Sequence, residues 1–345
     1  MQDKNPQTPR RVAVFGATGH TGRFVVSELR HRGFEPMAVA RNDTSPAAAT
    51  LAAQGIRVQI ASIEDRTSLD RAFAGTAAVI NCAGPFLDTA DAVAAAALSA
   101  GAHYLDVSAE QPSTLAIFDK FAGMAQDAGR LVIPAMGFYG GFADLLATAA
   151  MGDWDRAEEI NIGIALDSWH PTRGTRVTGA RNTTPRKVIA NGRLELLAQP
   201  AAEKSWDFPE PFARQPTLEL PFSETVLIAR HLQIAQLHTY LNTAALRDIR
   251  DTSTPPPQAA DDSGRSAQRF LVEAVARNQG LQRRAMARGR DIYAFSAPLV
   301  CEAVQRILDG EVRTAGAQAP GAIFDAAHFL AALVPAHLAL EIEAG

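Results

Sequence analysis

The residues best suited to chemistry stand near the start of this chain. Gly16-Ala17-Thr18-Gly19-His20-Thr21-Gly22 follows the apolar run Val12-Ala13-Val14-Phe15, and Phe24, Val25, Val26 and Leu29 come after it. An apolar strand that enters a glycine-rich turn and leaves as a helix is a device for gripping the pyrophosphate of a dinucleotide. Gly16 permits the tight turn, Gly19 lets the backbone approach the phosphates, and Gly22 lets the helix lie close to the strand. Thr18, His20 and Thr21 sit where the helix N-terminus offers free N–H groups and positive partial charge. The spacing is G-x-x-G-x-x-G, a variant of the commoner G-x-G-x-x-G, so its context has to support it.

About twenty residues past such a turn, an NAD site places an acid on the ribose diol. Here the place holds Ala40-Arg41-Asn42. A carboxylate would repel a 2′-phosphate, whereas a guanidinium grips it with paired hydrogen bonds. Arg41 and Asn42 therefore favour NADP(H) over NAD(H), and Asp43 comes one step too late to replace the missing acid. Asp65 is placed either to approach the adenine or to cap a helix. Further along, Asn81-Cys82-Ala83-Gly84-Pro85-Phe86 forms a small-residue turn after another apolar strand. Ala83, Gly84 and Pro85 leave room for the cofactor, and Phe86 can border a nicotinamide. Cys82 reads as a core thiol, with no base evident beside it.

Proton chemistry has fewer candidates. A Tyr-x-x-x-Lys pair is absent: the residues four after Tyr104, Tyr139, Tyr240 and Tyr293 are Ser108, Ala143, Ala244 and Ala297. The four lysines, Lys4, Lys120, Lys187 and Lys204, fall in no catalytic motif, and no histidine–cysteine–carboxylate spacing suggests a metal site. Tyr139 in Gly137-Phe138-Tyr139-Gly140-Gly141-Phe142 is a candidate proton donor or substrate contact, and the next acid, Asp144, reads as a helix cap. In Trp169-His170-Pro171-Thr172-Arg173-Gly174-Thr175-Arg176 and on to Arg181, His170 is a second candidate donor. Arg173, Arg176 and Arg181 are candidates for holding a carboxylate or phosphate. Arg230-His231 is a similar but weaker pair.

The elements needed to position these residues are legible. Strands at Val12–Phe15, Met37–Ala40, Arg57–Ala61, Ala78–Cys82, His103–Val107 and Leu131–Pro134 alternate with helical segments stopped by Gly33, Gly55, Gly75, Gly101 and Gly129. Six such units imply an α/β fold, a Rossmann-type doubly wound parallel sheet over residues 1–140. After Gly141 the pattern changes. Ile160, Ile162, Ile164 and Leu166 alternate with smaller or polar residues, and Asn191-Gly192 marks a hairpin between Lys187–Ala190 and Arg193–Leu197. Further strands are expected at Thr225–Ala229, Gln236–Leu241, Phe270–Ala276 and Gln282–Ala287. Residues 141–300 thus read as an α+β substrate and dimerisation domain with a mainly antiparallel sheet. A long polar loop, Asp251–Ser266, interrupts it. Helices at Pro298–Leu308 and Phe324–Leu333 lead residues 301–345 back onto the cofactor domain.

Composition narrows the class of partner. The chain has 345 residues, a net charge of −4 and two cysteines, Cys82 and Cys301. That balance suggests neither nucleic acid nor an anionic membrane, and the cysteine count fits a reducing, cytoplasmic setting. Residues Met1–Pro6 lack the apolar core of a signal peptide. The apolar stretch from Phe324 to Ile342 is broken by Asp325, His328, Pro335, His337 and Glu341, so it reads as a buried or docking helix and not a membrane span.

Gly16–Gly22, Asn81–Phe86 and Gly101-Ala102-His103-Tyr104-Leu105-Asp106 through Glu110 resemble the cofactor domain of the saccharopine dehydrogenase-like oxidoreductases. Gly289–Ala294, Ala297–Val300, Ala319–Ala322 and Phe324-Asp325 are similar to segments of that family's smaller stand-alone members. The resemblance implies a Rossmann domain, an NAD(P) cofactor and hydride transfer. It does not imply saccharopine, because the family spans amino-acid dehydrogenases, polyamine-pathway enzymes and trans-acting enoyl reductases. The expectation is an NADPH-dependent reductase, as a homodimer, acting on a polar C=N, C=O or activated C=C bond of a small metabolite. The alternatives are a trans-acting enoyl reductase on a carrier-bound or thioester substrate, or a non-catalytic NADP(H)-binding sensor or scaffold.

Overall fold

The computed structural model describes residues 10–42 and 44–343. Residues Met1–Pro6 and Asp43, on which two of the expectations above rest, lie outside them. Six strands, β1 (Arg11–Phe15), β2 (Glu35–Ala40), β3 (Arg57–Ile60), β4 (Ala78–Asn81), β5 (His103–Asp106) and β6 (Leu131–Ile133), run parallel in the order β3-β2-β1-β4-β5-β6. They alternate with α1 (His20–His31), α2 (Pro46–Ala53), α3 (Arg66–Phe73), α4 (Phe86–Ser99) and α5 (Gln111–Asp127). The chain reverses its direction of travel across the sheet between β1 and β4, and a crevice opens there beyond the strand ends. The strands are apolar because helices cover both faces; β1, β2 and β4 are buried almost throughout.

Past Gly137 a single π-helical turn, Phe138–Phe142, runs into α6 (Ala143–Met151) and the second sheet begins. Its strands are β7 (Arg156–Leu166), β8 (Lys187–Ala190), β9 (Arg193–Leu196), β10 (Glu203–Asp207), β11 (Arg214–Glu219), β12 (Gln233–Asn242), β13 (Arg269–Asn278) and β14 (Leu281–Arg290). Three helices, α7 (Arg173–Arg181), α8 (Ser223–Ile228) and α9 (Thr243–Arg250), lie between them, and α10 (Ile292–Leu308) follows. The pairing is antiparallel except between β7 and β12. The Asn191-Gly192 hairpin is present, both residues at positive φ. The short strand β15 (Gly316–Ala317) extends the first sheet at β6. After α11 (Pro320–Ile323) and α12 (Ala326–Ala331), strand β16 (Leu338–Glu343) pairs with β14 in the second sheet.

Several expectations are corrected. Thr225–Ala229 is not a strand: it belongs to α8, all six residues of which are buried. A short apolar run with no exposed face carries no periodicity to separate helix from strand. The last apolar stretch is not one helix: α12 ends before Pro335, and Leu338–Glu343 takes the two-residue alternation of an edge strand. The segment carrying Arg173, Arg176 and Arg181, for which no element was expected, is helix α7, capped by Thr172 Oγ1, which accepts from Thr175 N at 3.0 Å. Helix α10 begins at Ile292 and runs through Pro298 instead of starting there.

One aromatic knot ties the two sheets together. Phe138 and Phe142 of the π turn, Phe270 of β13 and Phe295 of α10 pack with ring centroids 4.7–6.3 Å apart. All four are buried. The junction that carries Tyr139 is therefore clamped from both sides.

Candidate functional site

The glycine turn has the shape a pyrophosphate needs. Gly16 has φ +80°, and its N–H donates to Val39 O at 3.0 Å, which pins the turn to β2. An added Cβ would stand 2.9 Å from Ala83 Cβ at Gly16 and 3.1 Å from Gly16 O at Gly19. The turn after β4 and the turn after β1 thus face each other at backbone distance. Gly19 caps α1 with no side-chain partner, leaving the first N–H groups of the helix for an anion. Thr18, His20 and Thr21 are half-exposed on the same turn, while Gly22 is buried. A phosphate-bearing dinucleotide fits this cradle, with Gly16, Gly19 and Gly22 holding its backbone-facing side. When bound, its nicotinamide supplies or accepts a hydride.

Arg41 and Asn42 follow β2 as exposed residues. Asn42 Oδ1 accepts from Thr44 N and Thr44 Oγ1, both at 2.7 Å. Asp65 caps α3, accepting from Ser68 N at 3.2 Å, so of its two expected roles the capping one is what its side chain performs. At the other wall, Asn81 holds the Ala83–Phe86 turn in shape: its Oδ1 accepts from Ala83 N at 2.9 Å and its amide donates to Thr89 Oγ1 at 3.1 Å. Phe86 N donates to Glu110 Oε1 at 2.7 Å and Leu87 N to Glu110 Oε2 at 3.3 Å. Glu110, a side chain not singled out from sequence, therefore occupies the N-terminus of α4. Burial raises its carboxyl and these backbone donors oppose that. Burial also pushes the Cys82 thiol far up, in keeping with a core role.

Helix α7 lies across this turn. A Cβ at Gly84 would stand 2.8 Å from Thr178 Oγ1, and Arg181 Nη2 donates to Asp88 Oδ1 at 3.1 Å. Arg176 donates to Asp251 O and Thr254 O at 3.1 and 2.8 Å, holding the start of the polar loop. Farther along that loop, Gly264 O accepts from Arg23 Nη2 of α1 at 3.4 Å. Arg173, Arg176 and Arg181 thus do not converge. Two of them bind protein partners, and Arg173 is exposed.

Tyr139 sits where the parallel sheet hands over to the second one. It is buried, with φ −90° and ψ 42° inside the π turn, and its hydroxyl has no hydrogen-bond partner among the described residues. Its ring stacks on Trp169 at 5.2 Å and lies 4.2 Å from Phe222. Burial lifts the phenol well above its ordinary range, so it carries its proton. Trp169 Nε1 donates to Tyr293 Oη at 3.0 Å, Thr175 Oγ1 lies 2.9 Å from the same hydroxyl, and His20 packs edge-on to the Tyr293 ring at 5.5 Å. One row of contacts, His20–Tyr293–Trp169–Tyr139–Phe222, therefore joins the glycine turn to the second sheet. Burial lowers the pKa of His20, as does Arg23, and its Nε2 is buried without a partner among the described residues.

Beside Phe222 stands Glu224, fully buried on α8. Its Oε1 accepts from Phe222 N at 2.9 Å and Thr239 Oγ1 at 2.7 Å, while its Oε2 has no partner among the described residues. Burial raises its carboxyl to about 7. Arg186 lies over the Phe222 ring at 4.8 Å and donates to Pro221 O at 2.6 Å. Glu224, Arg186 and Tyr293 escaped the sequence reading. The one available signal was an acid set within Phe222-Ser223-Glu224-Thr225-Val226, a run otherwise destined for the core.

His170 stands half-buried in the loop between β7 and α7. Asp144 does not cap α6: it is buried and accepts from Gly321 N at 2.7 Å, with His231 Nε2 2.7 Å from its other oxygen. This pair clamps α6 to α8 and α11. Asp106, also buried, accepts from Ser108 N, Ala135 N and Tyr104 Oη at 2.8–2.9 Å, joining the ends of β5 and β6 just before the π turn. Burial raises its carboxyl to about 6 against those hydrogen bonds. Among the described residues no cluster of three or more metal-type ligands occurs, and no helix is long and apolar enough to cross a membrane.

Comparison with known proteins agrees with this arrangement. Residues 8–105 match the model of the NmrA-like family, consistent with an NAD(P)-binding first domain. A probable mitochondrial saccharopine dehydrogenase-like oxidoreductase of Arabidopsis thaliana is 26% identical over 150 residues, covering 39% of this chain and 33% of that protein. The saccharopine dehydrogenase-like oxidoreductase of Homo sapiens is 29% identical over 158 residues, 40% of this chain and 37% of that one. The matched region thus spans about a third of each relative's length. Saccharopine dehydrogenase (L-Glu forming) from Saccharomyces cerevisiae superposes over 97% of this chain and 100% of its own with a TM-score of 0.67 at 12% identity, a likeness of fold. The resemblance and the two-sheet α/β fold expected from the order of elements are both borne out.

Proposed function

We propose that this chain, with the fold of saccharopine dehydrogenase and a first domain akin to the saccharopine dehydrogenase-like oxidoreductases, is an NAD(P)-dependent oxidoreductase that reduces a polar double bond of a small metabolite. The observation that carries the reading is the Tyr139 hydroxyl: buried, protonated and unpartnered among the described residues, on the turn that follows β6. A buried donor left unsatisfied costs about 1–3 kcal/mol. A substrate heteroatom that accepts its proton as hydride arrives would remove that cost at the moment of reaction.

Supporting roles follow from position. Arg41 favours NADPH through the 2′-phosphate. Trp169 and Phe222 keep the Tyr139 ring fixed and the reacting group out of water. His170 is the second donor candidate. A homodimer and, on the cysteine count, a cytoplasmic setting complete the reading. Reduction of a carrier-bound or thioester enoyl group is the second reading. It is favoured by the dispersal of Arg173, Arg176 and Arg181, which leaves an aromatic junction in place of a convergent cationic pocket.

The experiment is a screen of NADPH oxidation by the full chain against keto acids with and without amines, plain carbonyl compounds and enoyl thioesters. Turnover of one class supports the reading. Tight NADPH binding with no turnover of any class would leave a binding protein in its place.

A further inference from the structure

We propose that Tyr139 and Glu224 together form a two-donor hole for a developing oxyanion, so that the bond reduced at this junction is a carbonyl, or a C=C conjugated to one, and not an imine. This rests on the reading of the junction as a reductase site and specifies its substrate class.

The two groups share one neighbour. The Tyr139 ring lies 4.2 Å from the Phe222 ring, and the backbone N–H of that same Phe222 donates to Glu224 Oε1 at 2.9 Å. Both Tyr139 Oη and Glu224 Oε2 are buried and lack a hydrogen-bond partner among the described residues. Buried polar groups in folded proteins are nearly always satisfied, so two orphans beside one residue, one at the Phe222 ring and one at its backbone N–H, point to a partner that arrives with the substrate.

The hydrogen bonds also locate the proton on Glu224. Oε1 accepts from three donors, Phe222 N–H, Thr239 O–H and, at 3.5 Å, Thr225 O–H, and so has the character of a carbonyl oxygen. Burial raises this carboxyl to about 7, and below that its proton resides on the free oxygen, Oε2. The site then presents two O–H donors, and a single oxygen with two lone pairs can take both. A carboxylic acid kept neutral by an apolar site is a strong donor to an oxyanion. Arg186, over the far partner of Tyr139 and close enough to lower the Glu224 pKa, adds positive field. An imine nitrogen has one lone pair, and an iminium is a cationic donor that this arrangement repels.

The step balances simply. Hydride from the reduced dinucleotide adds to the carbonyl carbon, or to the β-carbon of an enone, and the π electrons move onto oxygen. Both O–H groups stabilise that charge, Tyr139 gives up its proton, and the phenolate recovers one from water admitted when the product leaves. The other elements packed against α8 include α5, α6, α11 and β8. From α5, Gln111 donates to Phe222 O and Thr114 bonds Ser223 Oγ, with Glu110 on the α4 N-terminus. From α6, Asp144 is held by His231 and Gly321. Lys187 of β8 contributes its backbone N–H to Gln111.

Pentafluorophenolate, ionised throughout the neutral range, tests the hole without turnover. Its binding to the full chain with oxidised dinucleotide is followed by calorimetry against pH. Tyr139→Phe and Glu224→Leu are each expected to weaken it by about tenfold, and near-ultraviolet circular dichroism checks that they fold. Wild-type affinity should fall above pH 7, where Glu224 becomes an anion. In Glu224→Gln the amide donates at every pH and that fall should vanish. The same fall in Glu224→Gln, or tighter binding of benzylammonium than of the phenolate, overturns the proposal. Because no substrate is consumed, this result is separate from the outcome of the NADPH screen, and loss of dinucleotide binding would show first in the same calorimeter.

Discussion

Gly22 lies so tightly against Gly16 that a Cβ at residue 22 would stand 2.2 Å from the Gly16 carbonyl oxygen and 2.8 Å from Ala17 Cα. No side chain relaxes out of that contact, because the opposing atoms are backbone. Gly22→Ala must therefore push α1 away from β1 and pull its N–H groups off the phosphates. We expect at least about a tenfold loss of NADPH affinity by fluorescence titration, with Gly19→Ala milder, since its Cβ would clear the nearest atom by 3.1 Å. Wild-type affinity in Gly22→Ala would refute the assignment of this turn to the pyrophosphate.

Arg41 follows β2 with its side chain exposed at the mouth of the crevice. Its loss should not disturb the fold, so any effect on binding belongs to the ligand. Arg41→Ala is expected to weaken NADPH by about tenfold and leave NADH unchanged, in line with the loss of one charge-assisted, bidentate contact. Equal affinities of the unaltered protein for the two dinucleotides would instead remove the preference.

Much of the first domain was readable because its signals are local. Each helix stops at a glycine, Gly33, Gly55, Gly75, Gly101 and Gly129, all at positive φ, and each strand is a short apolar run. The second domain was half-readable. Strands β7, β12, β13 and β14 alternate or follow a turn signal, whereas α8 is buried on every side and hides its period. The site shows the same division. The glycines announce themselves by spacing, but Glu224 reaches Tyr139 only through packing across α8 and the π turn. Arg173, Arg176 and Arg181 lie close in sequence, yet helix α7 turns Arg176 and Arg181 to different partners and leaves Arg173 exposed. Asp144 stands at a helix start, where capping is the default expectation, and is instead claimed by His231 from another element.

Phe295 is the residue of α10 that completes the aromatic knot, 4.7 Å from Phe142 and 5.1 Å from Phe270 between ring centroids. It is fully buried. Phe295→Ala leaves a cavity between the two sheets and is expected to destabilise the protein by about 3–5 kcal/mol, read from the urea midpoint. Because the same knot seats the π turn, the Tyr139 ring should lose its fixed stacking on Trp169, seen as weakened near-ultraviolet circular dichroism. A change below about 1 kcal/mol would mean that the sheets are held elsewhere.

The His231–Asp144 pair gives stability a pH dependence of definite sign. Burial alone would lower the His231 pKa, but the adjacent Asp144 carboxylate outweighs it and the folded value lies above the ordinary imidazole value. A group whose folded pKa is raised contributes fully below its unfolded value and loses that contribution as pH rises through the folded one. The pair, 10% and 0% exposed, should therefore stabilise most in mild acid and fade on the alkaline side. Asp144→Asn keeps the shape and removes the charge. We expect it to cost about 3 kcal/mol near pH 6 and progressively less as the pH is raised, in urea midpoints measured for both proteins. Parallel curves for the two would show that Asp144 acts through its hydrogen bond to Gly321 and not through charge on His231.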